Sequence, residues 1–173
     1  SFEIMEQDCN QPMMHQSDNM LSTEEQNSLL AELKISCSQA MLMCLSKEER
    51  VIYVLSSMFD INSSQGAEIM EITPEAFRQK LSRTKSKLRN FIQKNCGLIN
   101  KSATCKCRNR LDYALENHRI SKDERMFSSE KYLAGPFDVS AFTATMEHFD
   151  DYSDLFKSNP EYQLPQHRKT ALA

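Results

Sequence analysis

Two sets of side chains in this sequence could do chemistry. The first is a run of long cationic and amide donors interleaved with small hydroxyls: Arg78, Gln79, Lys80, Ser82, Arg83, Ser86, Lys87 and Arg89, preceded by Thr73 and Glu75. Wound at 3.6 residues per turn, Glu75, Gln79, Ser82, Arg83 and Ser86 lie opposite Phe77, Leu81 and Leu88. Arg78 and Arg89 fall on one flank, Lys80 and Lys87 on the other. These residue types suit a reader of duplex DNA: forked donors reach base edges, serines permit close approach, and lysines meet phosphates. Arg78 and Gln79 are therefore expected at bases, and Lys80, Arg83 and Lys87 at phosphates. The blander alternative is a generic basic helix that meets RNA or a protein.

The second set is thiol. Six cysteines stand at positions 9, 37, 44, 96, 105 and 107. Cys96, Cys105 and Cys107 bracket a short loop, and closely spaced thiolates are candidate Zn²⁺ ligands. The set lacks the two CxxC pairs of a zinc ribbon, so a fourth ligand would be Cys37, Cys44 or His118. Cys37 and Cys44 also fit as small core residues on an apolar stripe. A redox role for the Cys105/Cys107 pair, favoured by neighbouring Lys106 and Arg108, is the remaining alternative. No secretory leader is visible, so a reducing compartment is expected and stable disulfides are not. No Ser/His/Asp spacing, phosphate loop or paired carboxylate stands out, and the expectation is a protein that is not an enzyme and needs no cofactor beyond a candidate structural zinc.

Charge separates the 173-residue chain into three parts. Residues 1–72 hold 3 Lys/Arg against 12 Asp/Glu, and residues 111–173 hold 7 against 11. Between them, residues 73–110 carry 11 Lys/Arg against 1 Asp/Glu, a block of +10 inside a chain whose net charge is −3. Such a block points to a polyanion, because a merely solvated helix would carry acids to pair with its bases. Only 3 Gly and 5 Pro, with thin Val, Ile and Tyr, favour helix over sheet. No apolar run approaches the ~20 residues of a membrane span, so no membrane partner is expected.

The elements that must position these residues are legible from their ends. Ser22 with Glu25 and Ser46 with Glu49 are capping boxes, each opening a helix. Leu29, Leu30, Leu33, Cys37, Ala40, Met41 and Cys44 make the apolar stripe of the first, and Val51, Val54, Leu55 and Met58 the expected buried face of the second. A short helix is expected near Ser64 to Glu71, with Ala67 and Met70 inward. After a turn, Thr73 caps a helix whose first position is Pro74, where a missing amide costs nothing. That helix runs to about Asn95 on a core stripe of Phe77, Leu81, Thr84, Leu88 and Phe91, with Gly97 as its stop. Asp112 to His118 reads as one or two helical turns. Phe142, Met146, Phe149, Tyr152 and Phe156 recur at helical steps among acids in the tail. The expected organisation is all-α: a disordered linker at 1–20, a helix-turn-helix domain at 21–95, a Cys-containing extension at 96–135 and an acidic helical tail at 136–173. The chain does not begin with Met, which suggests a fragment.

The segment LSKEERVIYVLSSMFDINSSQGAEIMEITPEAFRQKLSRTKSKLRNFI, residues 45–92, resembles region 4 of RNA polymerase sigma factors of the extracytoplasmic-function type. Within it ITPEAFRQKLSRTKSKLR follows that family's turn and recognition helix closely, and the flanking SCSQAMLMCLSKEER and NCGLINKSATCKCRNR resemble one of its subgroups. The resemblance spans about residues 20–115. It implies a cytoplasmic transcription initiation factor that binds the promoter −35 element and docks on the polymerase β-subunit flap, with an anti-sigma factor as a further candidate partner. Two residues depart from the pattern. Glu71 stands where the family has a turn glycine, so a strained backbone is expected there, and Gly66 replaces an apolar residue. No counterpart of the −10-reading domain is visible, so this chain is expected to bind promoter DNA without opening it. Alternatives are a stand-alone helix-turn-helix regulator, or a zinc- or thiol-based sensor that uses its basic helix on a protein.

Overall fold

The computed structural model describes residues 1–11 and 21–123, and these are all-α. Six helices follow in order: α1 (Phe2–Cys9), α2 (Thr23–Cys44), α3 (Lys47–Tyr53), α4 (Ser63–Ile69), α5 (Pro74–Asn95) and α6 (Cys107–Glu116). A single turn of π-helix, Val54–Met58, prolongs α3. No helix among the described residues is long and apolar enough to cross a membrane. The expected acidic tail and the last part of the expected extension lie outside the described residues.

Local chemistry sets the helix starts. The boxes at Ser22/Glu25 and Ser46/Glu49 both form, each pairing two otherwise unsatisfied amides. A third box, Asn62 with Gln65, opens α4. Thr73 Oγ1 accepts from Ala76 N at 3.2 Å to cap α5. Arg50 closes the far end of α2 by donating to the Leu42 and Leu45 carbonyls at 3.1 and 3.2 Å, which fixes α3 against that end.

Three apolar clusters hold the helices. Ile52, Ala67 and Phe77 join α3, α4 and α5. Met41, Leu42, Leu45, Tyr53, Leu88, Phe91 and Ile92 join α2, α3 and α5, with Cys9 of α1 inserted among them. Leu29, Leu30 and Leu33 pack on Leu111, Ala114 and Ile120 around α6. α2 is thus clad on two sides, which explains why Ala31, Ile35 and Leu42, outside the single expected stripe, are also buried, whereas Ala40 within it is exposed.

Two expectations are corrected. Residues 2–9, read as linker, form α1: Phe2, Met5 and Cys9 turn one side inward, and the Phe2 ring meets Phe91 with centroids 5.1 Å apart. The inward face of α3 is Ile52 and Tyr53, not Val51, which is exposed. The π-turn carries one residue more than an α-turn, so a 3.6-residue period cannot be carried from Val51 through to Met58.

Candidate nucleic-acid interface

α4, the turn at 70–73 and α5 form one unit, and two residues shape it. Glu71 takes φ 53°, the left-handed conformation expected from its place in the turn. Gly66 lets the two helices close: a Cβ there would lie 2.4 Å from Phe77 Cζ and 2.5 Å from Cε2. Phe77 is fully buried against this bare stretch of α4, and the first turn of α5 is fixed by it.

With Phe77, Thr84, Leu88, Phe91 and Ile92 facing inward, the opposite side of α5 is left to solvent. Glu75, Arg78, Gln79, Ser82, Arg83 and Ser86 are all exposed, as the wheel required, and Thr73 sits exposed at the cap. Arg78, Leu81, Ser82, Lys85, Ser86 and Arg89 line a shallow cleft of about 260 Å³ along one flank. Lys85 was missing from the expected set; its place seven residues after Arg78 puts it two turns along the same flank. Glu75 is held by Arg78 Nη2 at 2.6 Å and Gln79 Nε2 at 3.2 Å. The Arg78 bond, followed by the Gln79 bond, keeps the Glu75 carboxyl below its usual pKa. Both expected base readers are thereby presented together near the start of the helix.

The two lysines of the other flank are not open. Lys80 Nζ donates to Glu48 Oε1 at 2.6 Å, and Lys87 Nζ is paired with Glu49. The Lys87 bond is the main cause of a lowered Glu49 pKa. Acids absent from the basic block are thus supplied by α3, and Glu6 of α1 similarly meets Lys94. The inference that the block had nothing to pair with is therefore corrected: its counter-charges lie 32 and 38 residues upstream for the two lysines, beyond any local count.

No family model, curated protein or solved structure matches the chain.

The thiols gather at the opposite end of α5. Cys96 follows α5 and pairs with Cys105 in an isolated parallel bridge, in which Gly97 N donates to the Cys105 carbonyl at 2.9 Å. Gly97 does not end the helix in a left-handed turn; it is small because a Cβ would stand 2.4 Å from the Cys105 oxygen. Burial pushes up the thiols of Cys37 and Cys96, and that of Cys107 to about 12. Cys9, expected in a linker, is buried in the apolar cluster against which Cys105 packs. The closeness of the two thiols pushes the Cys9 pKa up and lowers that of Cys105, with Arg110 adding to the fall. Cys9, Cys37, Cys44, Cys105 and Cys107 all border one cavity of about 460 Å³. Among the described residues, no three His, Cys, Asp or Glu side chains stand together as a metal-holding group. His118, the remaining candidate ligand, is exposed with φ 53° at the end of α6.

A second feature invisible in the sequence frames this cavity. Asp8 accepts from Tyr113 Oη at 2.7 Å and from Arg119 at 2.6 and 3.1 Å, while Arg110 donates to its backbone carbonyl. Burial works to raise the Asp8 pKa, but the bonds from Arg119 and Tyr113 outweigh it and the net shift is downward. The guanidinium groups of Arg110 and Arg119 also stack over the Tyr113 ring, at 5.3 and 5.0 Å from its centroid.

Proposed function

We propose that this chain is a DNA-binding transcription initiation factor of the cytoplasm that reads a promoter −35 element through α5 and docks on the polymerase core at the β-subunit flap. The observation that carries the reading is the α4–turn–α5 unit with an outward side of Arg78, Gln79, Ser82, Arg83 and Ser86, all exposed, on a helix fixed from behind by Phe77 and Leu88. A short helix, a turn and a longer basic helix form the plan by which such proteins enter a major groove. The resemblance of residues 45–92 to sigma region 4 supplies the specific assignment. Phe59 and Ile69 are exposed apolar residues on either side of most of α4, and they offer anchors for a protein partner beside the DNA-facing helix.

The roles on α5 follow from residue type and placement on the helix. Arg78 and Gln79 read bases. Arg83 and Lys85 meet phosphates. Lys80 and Lys87 join them by exchanging Glu48 and Glu49 for phosphate oxygens as the helix seats. Titration of labelled duplexes at two salt concentrations tests the reading, because phosphate neutralisation releases counterions and makes affinity fall steeply with salt. Arg78→Ala should cost about 1–3 kcal/mol on the preferred duplex and relax base preference. Affinity that is indifferent to salt, or absent at low salt, refutes DNA binding. Retention on purified polymerase core supports the initiation-factor assignment, and its loss with DNA binding intact leaves a stand-alone regulator.

A further inference from the structure

We propose that Cys9 and Cys105 form an oxidisable pair that a peroxide closes into a disulfide, fastening α1 to the loop that precedes α6. The pair is 96 residues apart in sequence, yet Cys105 packs against the cluster in which Cys9 is buried, and both border the same cavity. The two cysteines are held together by contacts that involve neither sulfur. On the α1 side, Asp8, the immediate neighbour of Cys9, is gripped by Tyr113 and Arg119, and its carbonyl by Arg110. On the other side, the Cys105 carbonyl accepts from Gly97, which ties the loop to the end of α5. Both thiols border the cavity of about 460 Å³, which is wide enough to admit a small peroxide, and Cys105 is only partly buried.

The chemistry balances with hydrogen peroxide as the sole oxidant. One thiol is oxidised to a sulfenic acid as the O–O bond breaks and water leaves. The second sulfur then attacks the sulfenic sulfur, an S–S bond forms, and a second water departs with the remaining thiol hydrogen. In sum, two thiols and one peroxide give one disulfide and two waters. Cys105 is the more accessible sulfur and takes the first step; Cys9, packed in the same cluster, resolves it. A disulfide of this kind suits a reducing compartment, where such bonds are transient and sense oxidant rather than build structure. Reduced, α1 is held by the Asp8 network and its apolar contacts. Oxidised, it is tied covalently across the cavity. This inference is independent of the DNA-binding reading and is tested without DNA.

The full chain is assayed for bound zinc, exposed to one equivalent of hydrogen peroxide, alkylated, and measured by mass spectrometry with peptide mapping. The proposal expects a loss of two hydrogens, two fewer alkylated thiols, a linked Cys9–Cys105 peptide, and a melting temperature raised by several degrees. Cys9→Ser should stop at a sulfenic acid on Cys105 that dimedone traps, whereas Cys44→Ser should still close the bond. Asp8→Asn should slow closure about tenfold without slowing oxidation of Cys105. Three outcomes overturn the proposal: no disulfide, a linkage spread over Cys37, Cys96 or Cys107, or one zinc per chain that shields Cys105 from peroxide. All three are read on the wild-type protein, so they stand even where a substituted chain fails to fold.

Discussion

Replacing Gly66 with alanine should weaken this protein, although the same change in the middle of most helices strengthens them. Alanine exceeds glycine in helix propensity by about 0.8–1 kcal/mol, so Gly66→Ala in α4 should gain that much if space allowed. The added methyl, however, would lie 2.4, 2.5 and 3.0 Å from three atoms of the Phe77 ring. Carbon atoms rest about 3.5–4.0 Å apart, so the overlap is about 1 Å over one edge of a rigid ring. Phe77 is fully buried and packed against Ile52 and Ala67, so the ring has no free direction in which to retreat. Overpacking of this kind costs about 1–3 kcal/mol, and at the upper half of that range, set by the rigid ring, a net loss of about 1–2 kcal/mol remains after the propensity gain. Thermal unfolding should show it as a fall of about 4–8 °C per kcal/mol. Phe77→Leu, harmful alone, should be less harmful beside Gly66→Ala, and a double-mutant cycle should return a favourable coupling. A melting temperature raised by Gly66→Ala, or a coupling of zero, would refute the reasoning and mean that α4 and α5 do not meet at this point.

Four further outcomes are expected. Glu71→Gly should stabilise by about 1 kcal/mol, since only glycine occupies a φ near +53° without steric cost, and a lowered melting temperature would contradict this. Asp8→Asn should cost about 1–2 kcal/mol, a charge-assisted pair discounted for the exposure of Arg119, and should make the α1 segment the first site of limited proteolysis; unchanged cleavage kinetics would sink it. The Asp8 and Glu49 pKa values are both lowered on folding, so their stabilisation is complete above the unfolded carboxylate range and lost as pH falls through the lowered values. Melting temperature should hold between about pH 7 and 5 and drop below about pH 4, and a drop that is as steep in Asp8→Asn as in the parent would discount the Asp8 share. Glu48→Gln with Glu49→Gln should free Lys80 and Lys87, tighten duplex binding severalfold and steepen its salt dependence, at the cost of the stability that the Glu49 pair supplies near neutral pH; unchanged affinity would show those lysines lie outside the interface.

The parts of the fold that were legible in the sequence are those governed within one turn of chain. Ser22, Ser46 and Thr73 announce their helices because a cap and its amide are three residues apart. The outward side of α5 follows from its own periodicity, and the strain at Glu71 follows from its place in a turn. Asn62 with Gln65 obeys the same rule but lies in a stretch of polar residues that reads first as a break. α1 escaped notice because Ser1 forms no side-chain cap and a helix of 8 residues has little stability apart from the surface it covers. What sequence could not reveal is pairing at long range: Glu48 on Lys80, Asp8 on Arg119 and Cys9 on Cys105 are set by how helices stack, not by spacing. For the thiols, spacing offered Cys96, Cys105 and Cys107 as a metal set and Cys105 with Cys107 as a redox alternative, whereas packing brings Cys9 into the same cluster as Cys105.

The grip of Asp8 also sets an order of events during synthesis. Arg119, which holds it, follows 111 residues later in the chain. At ~5–20 residues per second, α1 leaves the ribosome about 6–20 s before its last partner has been made. For that interval the Asp8 network is incomplete, and the apolar surface under Phe2, Met5 and Cys9 is itself whole only once Cys105 has been made. A nascent chain stalled before Arg110 should therefore present this segment to chaperones and proteases, and one released after Arg119 should withdraw it.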